Sequence, residues 1–394
     1  MHSQEQMSEA RSLDQKAEEE EFSTGVDGGD VDEEPSTDEI SFFTRRRIAQ
    51  TLVIVLLLII GIYLLFPKLI GLESALGKLS EGDPKWIAVA IGFNVFAYLG
   101  FVTLFKGIVG GDVLPLKWVE SYEITMAGLA AALLFSAGGA GGVALNYWAL
   151  RRAGMGARRA ACRMVAFLVF LYAVYISAVI VFGVLLRTGV LHGDAPVELT
   201  VIPAAIAGIV VALGLLITLV PGDLQRRLED IRSVGRMGRL AHRLAPVPET
   251  AARGIRTAIE IVRHPGHGWI AIAGAIGYWA ANVGILWASF KAYGIEVPLG
   301  VVVQGFFVGL AANLFPFAPA GVGAVDAGMI GAFVLFGLPG DEVFAAVLTY
   351  RLNAFWLPIP FGVVAFFQLR HTVQRWSVEG KPIDRVPALS LGRG

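Results

Sequence analysis

Two charged side chains stand where charge is costly. Asp326 lies in PAGVGAVDAGMIGAF and Arg351 in AAVLTYRLNAFWLP, both otherwise apolar runs. A carboxylate at bilayer depth costs roughly 2.5–3.5 kcal/mol on insertion scales, so it calls for a partner or a wet cavity. Arg351 is the best candidate partner for Asp326. Such a pair can close a helix bundle, or it can work: Asp326 as a proton-coupling group, Arg351 as a cation that attracts phosphate. One turn before Asp326 the chain is broken by Pro319, Gly321 and Gly323, and a second break, GGAGG, holds Gly138, Gly139, Gly141 and Gly142. Glycine allows unusual backbone and close approach. New helix starts are expected at about Val143 and about Val322, where free N–H groups and the dipole favour an anion such as a lipid phosphate. The alternative is that these small residues serve close helix packing. Asn94, Asn146, Asn282, Gln304, Asn313 and Asn353 are softer polar signals, of which Asn146 and Asn313 flank the breaks. Glu120 and Glu123 are expected as solvated carboxylates at the mouth of the first break.

The elements that must hold these groups are set by composition. Of 394 residues, 55% are hydrophobic and 16% charged, and the mean hydropathy is +0.63. Soluble domains carry about 25% charged residues, so an ordinary soluble chain is excluded. Apolar stretches of spanning length lie at 48–66, 86–108, 160–187, 199–220, 269–290 and 343–368, while 122–137 and 299–315 run into the two breaks. The fold class expected is an all-α polytopic membrane protein with six full transmembrane helices and two re-entrant broken hairpins.

Orientation follows from Lys and Arg near span ends. Arg45, Arg46 and Arg47 precede the first span, 151–163 carries five Arg and 221–268 nine, whereas 188–198 and 338–342 carry neither Lys nor Arg. If 122–150 enters and leaves on the cytoplasmic side and 299–337 does so on the other, every basic segment is cytoplasmic, as are both termini. Lys68, Lys78 and Lys85 are the misfit, in the first external loop. The chain also repeats. WIAVA at 86–90 matches WIAIA at 269–273, Pro115-Leu116 matches Pro298-Leu299, and both 128–131 and 309–312 read GLAA. The units 86–187 and 269–368 would then start on opposite sides, an inverted-topology repeat of the kind that places a transport path between its halves.

Charge divides the chain. Residues 1–40 hold 14 acids and two bases, and the other 354 hold 19 acids and 30 bases, so an overall charge of −1 hides a tail of −12 and a body of +11. Residues 1–44 read as a disordered acidic cytoplasmic tail without a secretory signal, 45–368 as the membrane domain, and 369–394 as a basic cytoplasmic tail. Within the connector 221–268, Leu224, Leu228, Ile231, Val234, Leu240 and Leu244 recur at helical spacing with Arg on the remaining face, a pattern suited to an anionic leaflet. The single cysteine, Cys162, excludes an intramolecular disulfide. No motif points to nucleotide, nucleic acid, metal or cofactor.

PAGVGAVDAGMIGAFVLFGL at 319–338 and AAVLTYRLNAFWLPIPFGVVAF at 345–366 resemble the signature of the lysylphosphatidylglycerol synthase transmembrane-domain family. It is also called flippase-like and includes the membrane half of the bacterial multiple peptide resistance factor. The resemblance covers roughly 45–370. It implies a plasma (inner) membrane protein that moves a lipid, often an anionic or aminoacylated phospholipid or a lipid-linked sugar, between leaflets. Carried over by position, it marks Pro319, Gly321, Gly323, Asp326, Tyr350, Arg351, Leu352, Trp356 and Pro358. Family members usually have Glu where Asp326 stands, and many carry an acid and an Arg near the first break, where this chain has Asn146. Only 26 residues follow the last span, so the family's soluble aminoacyl-transfer domain is expected to be absent. The chain is therefore expected to be a lipid translocase and not an enzyme, with anionic membrane lipids as partners and a homo-oligomer or a lipid- or glycan-synthesis partner left open. Alternatives are a non-transporting partner subunit of a synthase and a membrane-embedded lipid transferase.

Overall fold

A computed structural model describes residues 82–110, 116–134, 140–218, 246–263, 267–314 and 323–379, all within one compact unit spanning 65–394. The described residues form helices throughout: α1 (Pro84–Val109), α2 (Trp118–Leu134), α3 (Ala140–Arg152), α4 (Ala157–Arg187), α5 (Val197–Thr218), α6 (Pro246–Arg263), α7 (His267–Ala292), α8 (Leu299–Leu310), α9 (Ala324–Leu335), α10 (Gly340–Arg351) and α11 (Pro358–Glu379). A 3₁₀ turn, Ala311–Leu314, follows α8, and a π turn, Leu352–Trp356, joins α10 to α11. Five helical stretches are long and apolar enough to cross a membrane: Pro84–Val109, Ala157–Arg187, Val197–Leu216, Gly268–Ala292 and the continuous Gly340–Trp376. They match five of the six expected spans, and 48–66 lies outside the described residues. The protein is a polytopic, all-α membrane protein.

The central pair is α1 with α7. Asp83 caps α1 by accepting from the Lys85 N–H at 2.9 Å, with Pro84 at the first helical position, where its missing N–H leaves no bond unmade. The two helices run antiparallel. Trp86 meets Trp287 edge to face at 5.2 Å, Phe101 meets Tyr278, and Gly107 abuts Ala271, so positions climb in one helix as they fall in the other. Backbones touch along this seam. A Cβ at Gly100 would stand 2.5 Å from the Tyr278 nitrogen, and one at Gly107 would stand 2.6 Å from that of Ala271. Without a hydrophobic drive between helices in lipid, such small-residue contacts are what association rests on.

Each expected hairpin is a pair of packed helices, α2 with α3 and α8 with α9, and the two share one device. In the first, Gly142 crosses Gly128, a Cβ on Gly142 falling 2.5 Å from the Gly128 carbonyl oxygen. In the second, Gly328 crosses Gly309 in the same manner at 2.6 Å. Gly128 and Gly309 are the first residues of the repeated GLAA. The hairpin arms are 12 to 17 residues long, shorter than the roughly 20 a full span needs.

The bundle has two chemically distinct ends. At one, the loops after α4, α7 and α9 meet: Gly193 lies against Val301 and Pro298, and Gly337 lies near Asp194. At the other, Arg163 donates to the Ile108 carbonyl at 2.6 Å, Gly254 of α6 packs on Val165, and Trp376 reaches Glu120. Of sixteen Lys and Arg among the described residues, Lys85, Arg187 and Lys291 lie toward the first end, Arg351 lies between, and the other twelve lie toward the second. The expected connector helix is seen only over 246–263. Its apolar stripe, Ala252, Ala258 and Ile261, is buried against protein, not free to meet lipid, because Gly254 lets α6 come close to α4. The six apolar residues from Leu224 to Leu244 lie outside the described residues.

Candidate functional site

The site forms where α9 begins and α10 ends. Gly323 precedes α9 with φ +84°, a conformation that a side-chain-bearing residue rarely adopts, and it turns its N–H toward Asp326. Asp326 is the third residue of α9, and its Oδ2 accepts from the Gly323 N–H at 2.8 Å. Its Oδ1 forms an ion pair with the Arg351 guanidinium, 2.7 Å from Nε. The expected partnership is therefore made. α9 starts at Ala324, two residues after the expected start at about Val322, and the Asp326 carboxylate takes the N–H of Gly323 just before it.

Arg351 is held from two sides. Phe355, one turn on, lies under the guanidinium with Cζ 4.7 Å from the ring centroid. Its side chain is 11% exposed against 28% for Asp326. Arginine has five N–H donors, of which Nε is the one nearest Asp326, and among the described residues neither Nη has a hydrogen-bond partner. Asp326 stands nine residues before the end of α9, and Arg351 eleven beyond the start of α10. At a rise of about 1.5 Å per residue, both are about 14–17 Å along the helices from the base-poor end, near the middle of a core about 30 Å thick.

The π turn beside Arg351 has a local cause. Pro358 and Pro360 have no N–H to give, and a proline ring collides with the carbonyl four residues back, so the ladder widens and the Leu357 N–H bonds to the Leu352 oxygen at 3.1 Å. The Asn353 carbonyl exposed by this widening accepts from Asn94 Nδ2 of α1, and Asn353 Nδ2 donates to the Thr349 oxygen at 3.0 Å. Asn94 and Asn353 thus tie the site to the central pair. Tyr350 turns the other way, buried edge to face on Phe306 at 5.7 Å. Trp356 is half-buried, its ring 5.1 Å from that of Phe355.

The first hairpin is arranged differently. Gly141 and Gly142 belong to the first turn of α3, which starts at Ala140, three residues before the expected Val143, because Gly142 is needed in the helical crossing with Gly128. Asn146 is buried against Gly128, and its Oδ1 has no hydrogen-bond partner among the described residues. Asn313 sits exposed in the 3₁₀ turn after α8. Gly138, Gly139, Pro319 and Gly321 lie outside the described residues. Glu120 and Glu123 are not solvated, as expected of them, but buried. The end of α11 covers them: Trp376 Nε1 donates to Glu120 Oε1 at 3.2 Å, and the Lys117 N–H donates to Oε2 at 2.7 Å. Glu123 Oε2 is buried without a hydrogen-bond partner among the described residues. Phe355 went unmarked in the sequence, although its spacing of four from Arg351 on a helix was a usable signal.

A bundle of membrane helices holding two broken hairpins and a partly buried ion pair at mid-depth defines a polytopic membrane protein with a polar site inside it. Residues 48–362 match the family described as the lysylphosphatidylglycerol synthase TM region, and the chain belongs to that family. It is similar to UPF0104 membrane proteins of Methanothermobacter thermautotrophicus, one of them 29% identical over 91 residues, which is 23% of this chain and 26% of that protein. It is also 24% identical over 104 residues to a phosphatidylglycerol lysyltransferase of Staphylococcus haemolyticus, 26% of this chain and 12% of the relative. The matched stretches span about a quarter or less of the length of these curated relatives.

Proposed function

We propose that the protein is a lipid translocase that moves an anionic phospholipid or lipid-linked phosphate between leaflets by alternating access of two inverted halves, 86–187 and 269–368. The observation that carries this is the Asp326–Arg351 pair, held at mid-depth beside a hairpin break with both Arg351 Nη groups unpartnered among the described residues. A guanidinium fork suits a phosphate diester, which presents two oxygens in matching geometry. The inverted relation is supported by the antiparallel run of α1 and α7 and by the shared glycine crossing of the two hairpins. The gathering of basic residues at one end supports a cytoplasmic location for that end, and with it for the C-terminus, in a plasma membrane.

Translocation, not lysyl transfer, is the activity proposed, and the name of the Staphylococcus relative is not carried to this chain. The test is lipid selectivity. Purified protein in liposomes is offered headgroup-labelled phosphatidylglycerol, phosphatidylcholine and a polyprenyl phosphate. Faster leaflet exchange of the anionic lipids supports the proposal. Exchange of no lipid by folded protein, with and without a proton gradient, would favour a non-transporting partner of a lipid or glycan synthase.

A further inference from the structure

We infer that the Asp326 carboxylate is a resident substitute for the substrate phosphate, and that loading and release of the lipid are exchanges of one anion for the other on Arg351 and the start of α9. The inference rests on the proposed transport of a phosphate-bearing lipid. Its basis is that Asp326 uses both oxygens on the two kinds of donor that bind phosphate. Oδ2 takes a backbone N–H at a helix N-terminus, at 2.8 Å, and Oδ1 pairs with the guanidinium charge, 2.7 Å from Nε. Both donors stay where they are when the carboxylate leaves. Gly323 is set by its positive φ, and Arg351 is backed by Phe355 and more deeply buried than its partner.

The geometry is also incomplete in the manner a swap requires. Asp326 engages Arg351 through Nε alone, and the four N–H bonds on Nη1 and Nη2 are without partners among the described residues. A phosphate diester can engage the fork with two oxygens where the carboxylate engages one edge. Asp326 is the more exposed member of the pair, so it is the member placed to give way. Two anions crowded on one cation in a low-dielectric site repel, so phosphate and carboxylate compete for it. Return of the carboxylate supplies the force that expels the lipid. Without it, the site would hold its substrate and stall.

The test measures binding apart from transport. Full-length protein in detergent micelles is titrated with acyl-labelled phosphatidylglycerol, comparing the parent with Asp326→Asn, Arg351→Ala and the double variant. Asp326→Asn keeps a cap acceptor and removes the charge, and it is expected to bind at least about fivefold tighter. Arg351→Ala is expected to lose the binding, and the double variant to resemble Arg351→Ala. Asp326→Ser carries the same expectation as Asn, should the Asn protein fail to fold. Inorganic phosphate as competitor separates the sources: displacement by phosphate alone assigns the seat to the bare anion, displacement only by lipid to the headgroup, and either supports the swap. Unchanged or weaker binding by folded Asp326→Asn and Asp326→Ser, or a gain that survives loss of Arg351, overturns it. If the parent exchanges lipid between leaflets while Asp326→Asn gains no affinity, translocation stands and the swap falls. If affinity rises but no protein exchanges lipid, the swap stands and translocation falls.

Discussion

Arg351 is the residue on which the chemistry turns, and its surroundings explain why. A guanidinium keeps its charge in any protein environment, so at mid-depth it must be answered by an anion. Asp326 answers it, and Gly323 makes that answer possible by presenting its N–H from a backbone conformation with φ +84°. No atom of the described residues lies within 4 Å of where a Gly323 Cβ would stand, so an added methyl meets strain, not crowding, from them. Gly323→Ala is therefore expected to destabilise the start of α9 by about 1–3 kcal/mol. The effect is read as a lower thermal midpoint in detergent, and an unchanged midpoint would count against this account of the turn. The pairing of Asp326 with Arg351 was legible because two opposite charges in apolar runs have few other solutions. The burial of Glu120 was not, because the Trp376 that reaches it lies 256 positions along the chain. Nothing local distinguishes a covered carboxylate from a solvated one.

At the scale of elements, glycine does two jobs that sequence alone does not separate. GGAGG reads as one break, yet Gly142 is helical and serves a crossing with Gly128. The spans themselves were legible from apolar length, and five of the described helices fall where that length places them. The α1–α7 seam offers a controlled comparison on a single helix. Gly107→Ala would push a methyl to 2.6 Å from the Ala271 nitrogen, a backbone atom that cannot step aside, whereas Gly92 has no atom of the described residues within 4 Å of its Cβ position. Gly107→Ala is expected to cost about 1–3 kcal/mol as overpacking. Gly92→Ala is expected to be neutral or to stabilise by up to about 1 kcal/mol through helix propensity. Thermal unfolding of the two variants side by side checks this, and equal midpoints would mean that the seam is not close-packed.

For the whole molecule, the proposed inverted halves demand that the two hairpins open toward opposite sides of the membrane. In a Cys162→Ala background, a cysteine at Gly156, between α3 and α4, is expected to react with an impermeant reagent only from the cytoplasmic side. One at Glu296, between α7 and α8, is expected to react only from the other side. Labelling of both from one side would sink the inverted arrangement. Pattern legible in the sequence, the Lys and Arg bias of the loops, agrees with the clustering of base-poor loops around Gly193, Pro298 and Gly337. The opposite directions of α1 and α7 follow from the expected inversion, but their packing as the central pair was not legible, because nothing local says which spans touch.

Leaflet exchange of phosphatidylglycerol by the purified protein in liposomes, beside Arg351→Ala and Asp326→Asn, tests the central claim most directly. The account predicts exchange above protein-free liposomes, lost in Arg351→Ala for want of binding and in Asp326→Asn for want of release. Exchange that persists undiminished in folded Arg351→Ala would contradict it.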